Sequence, residues 1–88
     1  MFSRIVEVTN KRGLHARASA KFVTLASQID AQIEVEKYGT RVCGTSIMGL
    51  MMLGAAMGDS ITISATGFGA KQAIDRLVEL VEARFHEE

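Results

Sequence analysis

The sequence predicts an α+β fold: a four-stranded antiparallel sheet with three helices packed on one face, in the order β-α-β-β-α-β-α. Three observations predict it. Short stretches place apolar residues at every second position, as in Ala31, Ile33, Val35 and again in Ile61, Ile63, Ala65, which is the pattern of half-buried strands. Two longer stretches repeat apolar residues three and four positions apart, as an amphipathic helix requires. Two strand patterns are adjacent across a glycine turn while the others are separated by helical patterns, which is the split βαβ arrangement.

In chain order, Arg4 to Thr9 (RIVEVT) alternates and is rich in β-branched residues, so it is the first strand. Asn10 to Gly13 is a loop. From Ala16 to Ile29 the residues Ala18, Phe22, Leu25, Ala26 and Ile29 share one helix face, with Arg17, Lys21, Thr24 and Gln28 elsewhere. Ala31 to Glu36 is the second strand. Gly39 turns the chain and Thr40 to Cys43 returns as the third, forming a hairpin. The middle helix runs from Ser46 to about Leu53. Ile61 to Ala65 is the fourth strand, ended by Gly67 and Gly69. From Ala70 the apolar positions Ala73, Ile74, Leu77, Leu80 and Val81, continued by Arg84, line a last helix whose other face carries Lys71, Asp75, Glu79 and Glu82.

Eighty-eight residues suffice for one compact domain, 1–88, and no linker or low-complexity segment divides them. At 48% hydrophobic, the chain can build a core without metal or disulfide support. Ten basic residues balance ten acidic ones, so the basic stripe expected of a nucleic-acid binder is missing. Cys43 is the single cysteine, which excludes an intramolecular disulfide and fits a reducing compartment. MFSRIVEVTNKR lacks the cationic start and apolar run of a signal peptide. The apolar stretch from Ile47 to Met57 is broken by Gly49 and Gly54 and is too short for a bilayer. The expectation is a cytoplasmic, monomeric protein with no membrane partner, no cofactor and no metal.

The chemistry concentrates in RGLHARASAKF, residues Arg12 to Phe22, where a histidine stands at a helix start and an arginine follows two residues later. A helix N-terminus exposes unpaired backbone N–H groups and carries about half a positive charge, so it suits an anion. With His15 at the cap, its ring lies beside the amides of Ala16 and Arg17. The positive helix end disfavours imidazolium and leaves a neutral, nucleophilic nitrogen. A phosphoryl group added there would meet backbone donors and the Arg17 fork. Spacing alone leaves two readings open: a histidine that ends a loop, and a phosphate acceptor.

GLHARASAKF resembles the phosphorylation-site motif of HPr, the histidine-containing phosphocarrier family of the bacterial phosphotransferase system. Downstream, TSIMGLMMLGAAMGDSITISATG (Thr45 to Gly67) resembles that family's second signature, at a matching distance. The resemblance covers essentially the whole chain and implies the HPr-like open-faced β-sandwich. It implies that His15 accepts phosphate at Nδ1 from phosphorylated enzyme I, that Arg17 steadies the phosphate, and that an enzyme IIA histidine receives it. Such a protein is a carrier with a phosphohistidine intermediate rather than a turnover enzyme. The sequence departs from the family in carrying Ala18 where most members have proline, and Arg12 where many have a small polar residue, here read as a solvated loop position.

Ser46 has the chemistry of an N-cap, and the resemblance also makes it a candidate for regulatory phosphorylation by an HPr kinase/phosphorylase. The middle helix is too apolar for one buried face. Leu50 and Leu53 are expected in the core; Ile47, Met48, Met51 and Met52 are expected to form an exposed patch. The resemblance implies that this patch meets partners together with Ala16, Arg17, Ala20, Lys21 and Thr24. His86, with Glu87 and Glu88 beside it, reads as solvated. HARASAKF and SIMGLMMLGAAMG more closely resemble the nitrogen-type and related proteobacterial carriers, which implies the nitrogen-related branch over sugar uptake. The rivals are a docking-only regulatory module, against which His15 argues, and a ferredoxin-like nucleic-acid or metal-binding domain, for which no stacking aromatics or ligand cluster are present.

Overall fold

The computed structural model describes residues 1–87. Its elements are β1 (Phe2–Glu7), α1 (Ala16–Ser27), β2 (Gln32–Lys37), β3 (Thr40–Cys43), α2 (Ile47–Met52), β4 (Ser60–Thr66) and α3 (Ala70–Glu82), followed by a single tight turn at Arg84–His86. The four strands form one antiparallel sheet in the order β1-β4-β2-β3.

The alternation read from sequence becomes the two faces of this sheet. Val6 pairs with Ile61, Val35 with Ile63 and Ile33 with Ala65, all buried under the helices. The opposite face is uncovered and polar. There Ser3 pairs with Ser64, Glu34 with Ser64 and Cys43, and Glu36 with Thr62 and Arg41. Arg41 bridges Glu34 and Glu36 at 3.3 and 3.2 Å, a cross-strand pairing in which attraction is screened by water. Tyr38 and Gly39 both have positive φ and join Lys37 to Thr40, the two-residue turn that matches strand twist.

α3 lies over β1 and β4, and α1 packs on α2 and α3. Phe22, Leu50, Leu77, Val81 and Phe85 fill the space between helices and sheet with no exposed area. Burial of such side chains stabilises by about 1.5–3 kcal/mol each.

The element edges differ from expectation for local reasons. β1 starts at Phe2 and ends at Glu7 rather than spanning Arg4 to Thr9. Val8 leaves the ladder but keeps its two bonds, donating to Asp59 O and accepting from Gly58 N, both at 2.8 Å. α1 stops at Ser27 rather than Ile29, because Gln28 N and Ile29 N tighten onto the carbonyls three residues back. Arg84 does not extend α3. Its φ is +57°, and the chain has already left the helix at Glu82.

Candidate functional site

The site is built from a loop that is held at both ends. Gly13 has φ +63°, and a Cβ there would collide with the Ala55 carbonyl oxygen, so the position favours glycine both for its backbone and for its lack of a side chain. Next to it Leu14 N donates to Ala55 O at 3.0 Å and the Leu14 side chain is buried. The loop before α1 is thereby pressed onto the residues that follow α2. His15 then takes the N-cap position with φ −74° and ψ −179°, and its carbonyl accepts from Ser19 N at 2.9 Å to close the first helical turn.

No side chain caps α1, and its first turn holds no acidic residue. The His15 ring is turned to a different partner. Its Nε2 lies 3.0 and 3.2 Å from the two carboxylate oxygens of Glu87. Glu87 Oε1 also accepts from Asn10 Nδ2 at 2.9 Å, and the same Nδ2 donates to Gly13 O at 2.8 Å. Both acceptors lack a proton to give, which fixes the orientation of the Asn10 amide. Asn10 is fully buried, and its Oδ1 has no partner among the described residues. The bond from Asn10 holds the Glu87 carboxyl below the usual glutamate range, with the His15 bond and the charges of His15 and Lys21 acting in the same direction against partial burial.

Glu87 reaches His15 because the chain doubles back after α3. Arg84, Phe85 and His86 have φ of +57°, +56° and +59°, a left-handed turn made of three residues that are not glycine. Such a conformation costs about 1–2 kcal/mol per residue. It persists because Phe85 is completely buried and Lys21 Nζ donates to Phe85 O at 2.6 Å.

The remaining expected site residues divide into groups. Arg17 is exposed in the first turn of α1, without a hydrogen bond or ion pair among the described residues. It lines a shallow groove of about 440 Å3 with Ala20, Lys21, Thr24, Leu25 and His86. Ala16 and Thr24 are exposed and Ala20 is half-buried. Lys21 differs from expectation: it is half-buried and committed to the tail rather than free on the helix face. Arg12 and His86 are exposed. Ala18 is fully buried at the third helical position. Ser46 caps α2, its Oγ accepting from Gly49 N at 3.0 Å. Leu50 and Leu53 are buried, while Ile47, Met48, Met51 and Met52 are exposed, Met48 by 69% and Met52 by 78%. Among the described residues no cluster of three or more His, Cys, Asp or Glu could hold a metal, and no helix is long and apolar enough to cross a membrane.

Sequence reasoning missed Asn10 and Glu87. The sequence places Asn10 in a loop and Glu87 beside a solvated histidine, and signals a role for neither. No local pattern joins two residues 77 positions apart.

The model of the family described as the PTS HPr component phosphorylation site matches residues 2–83. The chain belongs to the HPr family. It is 45% identical over 87 residues to the phosphocarrier protein HPr of Neisseria meningitidis, covering 99% of this chain and 98% of that one. The phosphocarrier protein NPr of Shewanella violacea is 42% identical over 84 residues, covering 96% and 92% of the two chains. The crystal structure of HPr from Thermoanaerobacter tengcongensis superposes with a TM-score of 0.96 at 45% identity, covering 100% of this chain and 99% of that one. The open sheet with three helices on one face is thus the HPr fold, and the chain is an HPr-type phosphocarrier of the phosphotransferase system.

Proposed function

We propose that His15 Nδ1 is the phosphoryl acceptor, charged by phosphorylated enzyme I and discharged onto a histidine of an enzyme IIA protein. The observation that carries this is the geometry of the ring. His15 is the N-cap of α1, its Nε2 is occupied by Glu87, and Nδ1 makes no hydrogen bond among the described residues. A phosphoryl dianion on Nδ1 would sit close to amides that have no intrahelical partner, with no carboxylate in the first turn to repel it. Arg17, exposed and unpaired among the described residues, is the side chain assigned to steady the phosphate by a charge-assisted fork. No tight ligand cage is needed, because a carrier must release the group to its next partner.

The exposed methionines of α2 and the outer face of α1 form the docking surface in this reading. Unbranched methionine side chains adapt to more than one partner. HARASAKF and SIMGLMMLGAAMG support the nitrogen-related branch, and relatives named HPr and NPr stand at similar identity. Ser46 is assigned as a regulatory phosphorylation site for an HPr kinase/phosphorylase, since a phosphate there would replace a neutral cap with a dianion beside the patch.

Incubation with phosphoenolpyruvate and enzyme I tests the assignment. The expected product is one acid-labile, alkali-stable phosphate per chain, absent from His15→Ala. Labelling of His15→Ala at the normal level would overturn it. In the same assay Ser46→Asp is expected to slow phosphate uptake, and an unchanged rate removes the regulatory assignment. Onward transfer to the nitrogen-type enzyme IIA in preference to a sugar-specific one supports the branch; the reverse preference refutes it.

A further inference from the structure

The geometry points to Asn10 and Glu87 as positioning residues for the phosphoryl acceptor: the buried Asn10 amide holds the Glu87 carboxylate on His15 Nε2, which keeps the proton on that nitrogen and presents Nδ1 as the nucleophile. This rests on the carrier reading above and extends it to residues outside the motif that carries His15.

Four observations support it. The carboxylate meets Nε2 with both oxygens, at 3.0 and 3.2 Å, so an acceptor-only group faces that nitrogen. The partner of one ring nitrogen sets the tautomer, and a proton held at Nε2 leaves the lone pair on Nδ1. Asn10 is buried and its Oδ1 has no partner among the described residues, an arrangement that stability alone does not favour. Its Nδ2 joins Gly13 O and Glu87, coupling the loop before α1 to the tail after α3. Finally, the tail takes up three consecutive left-handed residues to deliver Glu87, and Lys21, six residues after His15, fastens it through Phe85 O. Strain of this kind persists where surrounding contacts hold it, and it clusters at functional positions.

The chemistry balances without moving a proton. The Nδ1 lone pair attacks the phosphorus of the donor phosphohistidine, and the donor N–P bond breaks with its electron pair returning to the donor ring. Nε2 keeps its proton, so the His15 ring becomes cationic against the Glu87 carboxylate. In transfer onward the Nδ1–P bond breaks, its electron pair returns to Nδ1, and the ring departs neutral and again protonated at Nε2. Without the clamp, a fraction of rings would carry the proton on Nδ1 and could not attack.

The test is the 15N spectrum of the His15 ring in the unphosphorylated protein above neutral pH, with His15→Ala used to separate its signals from those of His86. Wild type is expected to show a protonated Nε2 and an unprotonated Nδ1 with well-separated shifts. In Glu87→Ala and in Asn10→Ala the two shifts should move toward each other. Phosphate uptake from enzyme I should slow about tenfold, the lower end of what is lost when a metal-bound histidine is deprived of the partner that orients it. Glu87→Gln keeps an oxygen acceptor and should restore the separated shifts. Identical ring shifts in wild type and Glu87→Ala overturn the proposal. So does slower uptake with an unchanged ring, which would place Glu87 in contact with the partner instead. Because the ring is read without phosphate, failure of wild type to accept phosphate would count against the carrier assignment alone.

Discussion

Gly13 shows how a single residue sets the site. Its positive φ and the Ala55 carbonyl oxygen, which a methyl group there would strike, exclude a side chain, and the obstructing atom is backbone that also binds Leu14 N. Gly13→Ala should therefore lose about 3 kcal/mol or more, from the left-handed backbone together with the clash. For a chain of this size that is a fall of roughly 12–24 °C in melting temperature. A thermal melt within about 2 °C of wild type would show that the loop can move away from Ala55, and that His15 is not held as described. Asn10 works at the same scale from the opposite side. It contributes its own backbone carbonyl to Gly13 N at 3.2 Å and its side chain to Gly13 O, so the two residues brace one turn twice.

At the scale of elements, α2 separates its two duties along one short helix. Ser46 caps it, Leu50 anchors it without exposure, and the methionines face outward. Met48→Glu removes an exposed apolar contact without touching the core. It is expected to reduce the rate of phosphate uptake from enzyme I several-fold while the melting temperature shifts by less than about 3 °C, as for an ordinary surface change. Unchanged uptake would remove Met48 from the docking surface. This surplus of apolar positions was legible in the sequence, because six large apolar residues in eight positions cannot share one face of a helix. The hairpin and α3 were legible for the same reason: their periodicity is local and strong. The edges were not. Whether Val8 belongs to β1 depends on the turn at Gly58 and Asp59, and the end of α1 depends on which carbonyl Ile29 N selects. Those choices are made by distant neighbours and by tightened bonds that leave no periodic trace.

On the scale of the whole molecule, the candidate site is closed by segments from both halves of the chain. His15 and Arg17 were readable from one motif, but the carboxylate on His15 comes from residue 87, and the amide that holds it from residue 10. The sequence shows the positive helix end beside the ring; the structure adds a negative group at its Nε2. This closure has a pH signature. The Glu87 carboxyl is held below its usual value near 4.5, so its contribution to stability is present above that value and is lost as pH falls through the lower folded value. Glu87→Gln should therefore flatten the acid side of the stability profile while leaving the contribution of Asp59, which Ala56 N and Lys37 shift in the same direction, in place. Urea midpoints measured down through the carboxylate range check this. Parallel acid limbs in the two proteins would mean that the ionisation of Glu87 contributes nothing to folding.

The left-handed turn that carries Glu87 back to the start of α1 also orders events during biosynthesis. His15 leaves the ribosome 72 residues before the carboxylate that orients it. At about 5–20 residues per second that interval is roughly 4–14 s. Throughout it the imidazole is present without the carboxylate that we propose holds its proton on Nε2. A chain cut before Glu87 would present His15 without this carboxylate, and the two ends of the contact are separated in synthesis by almost the whole described fold.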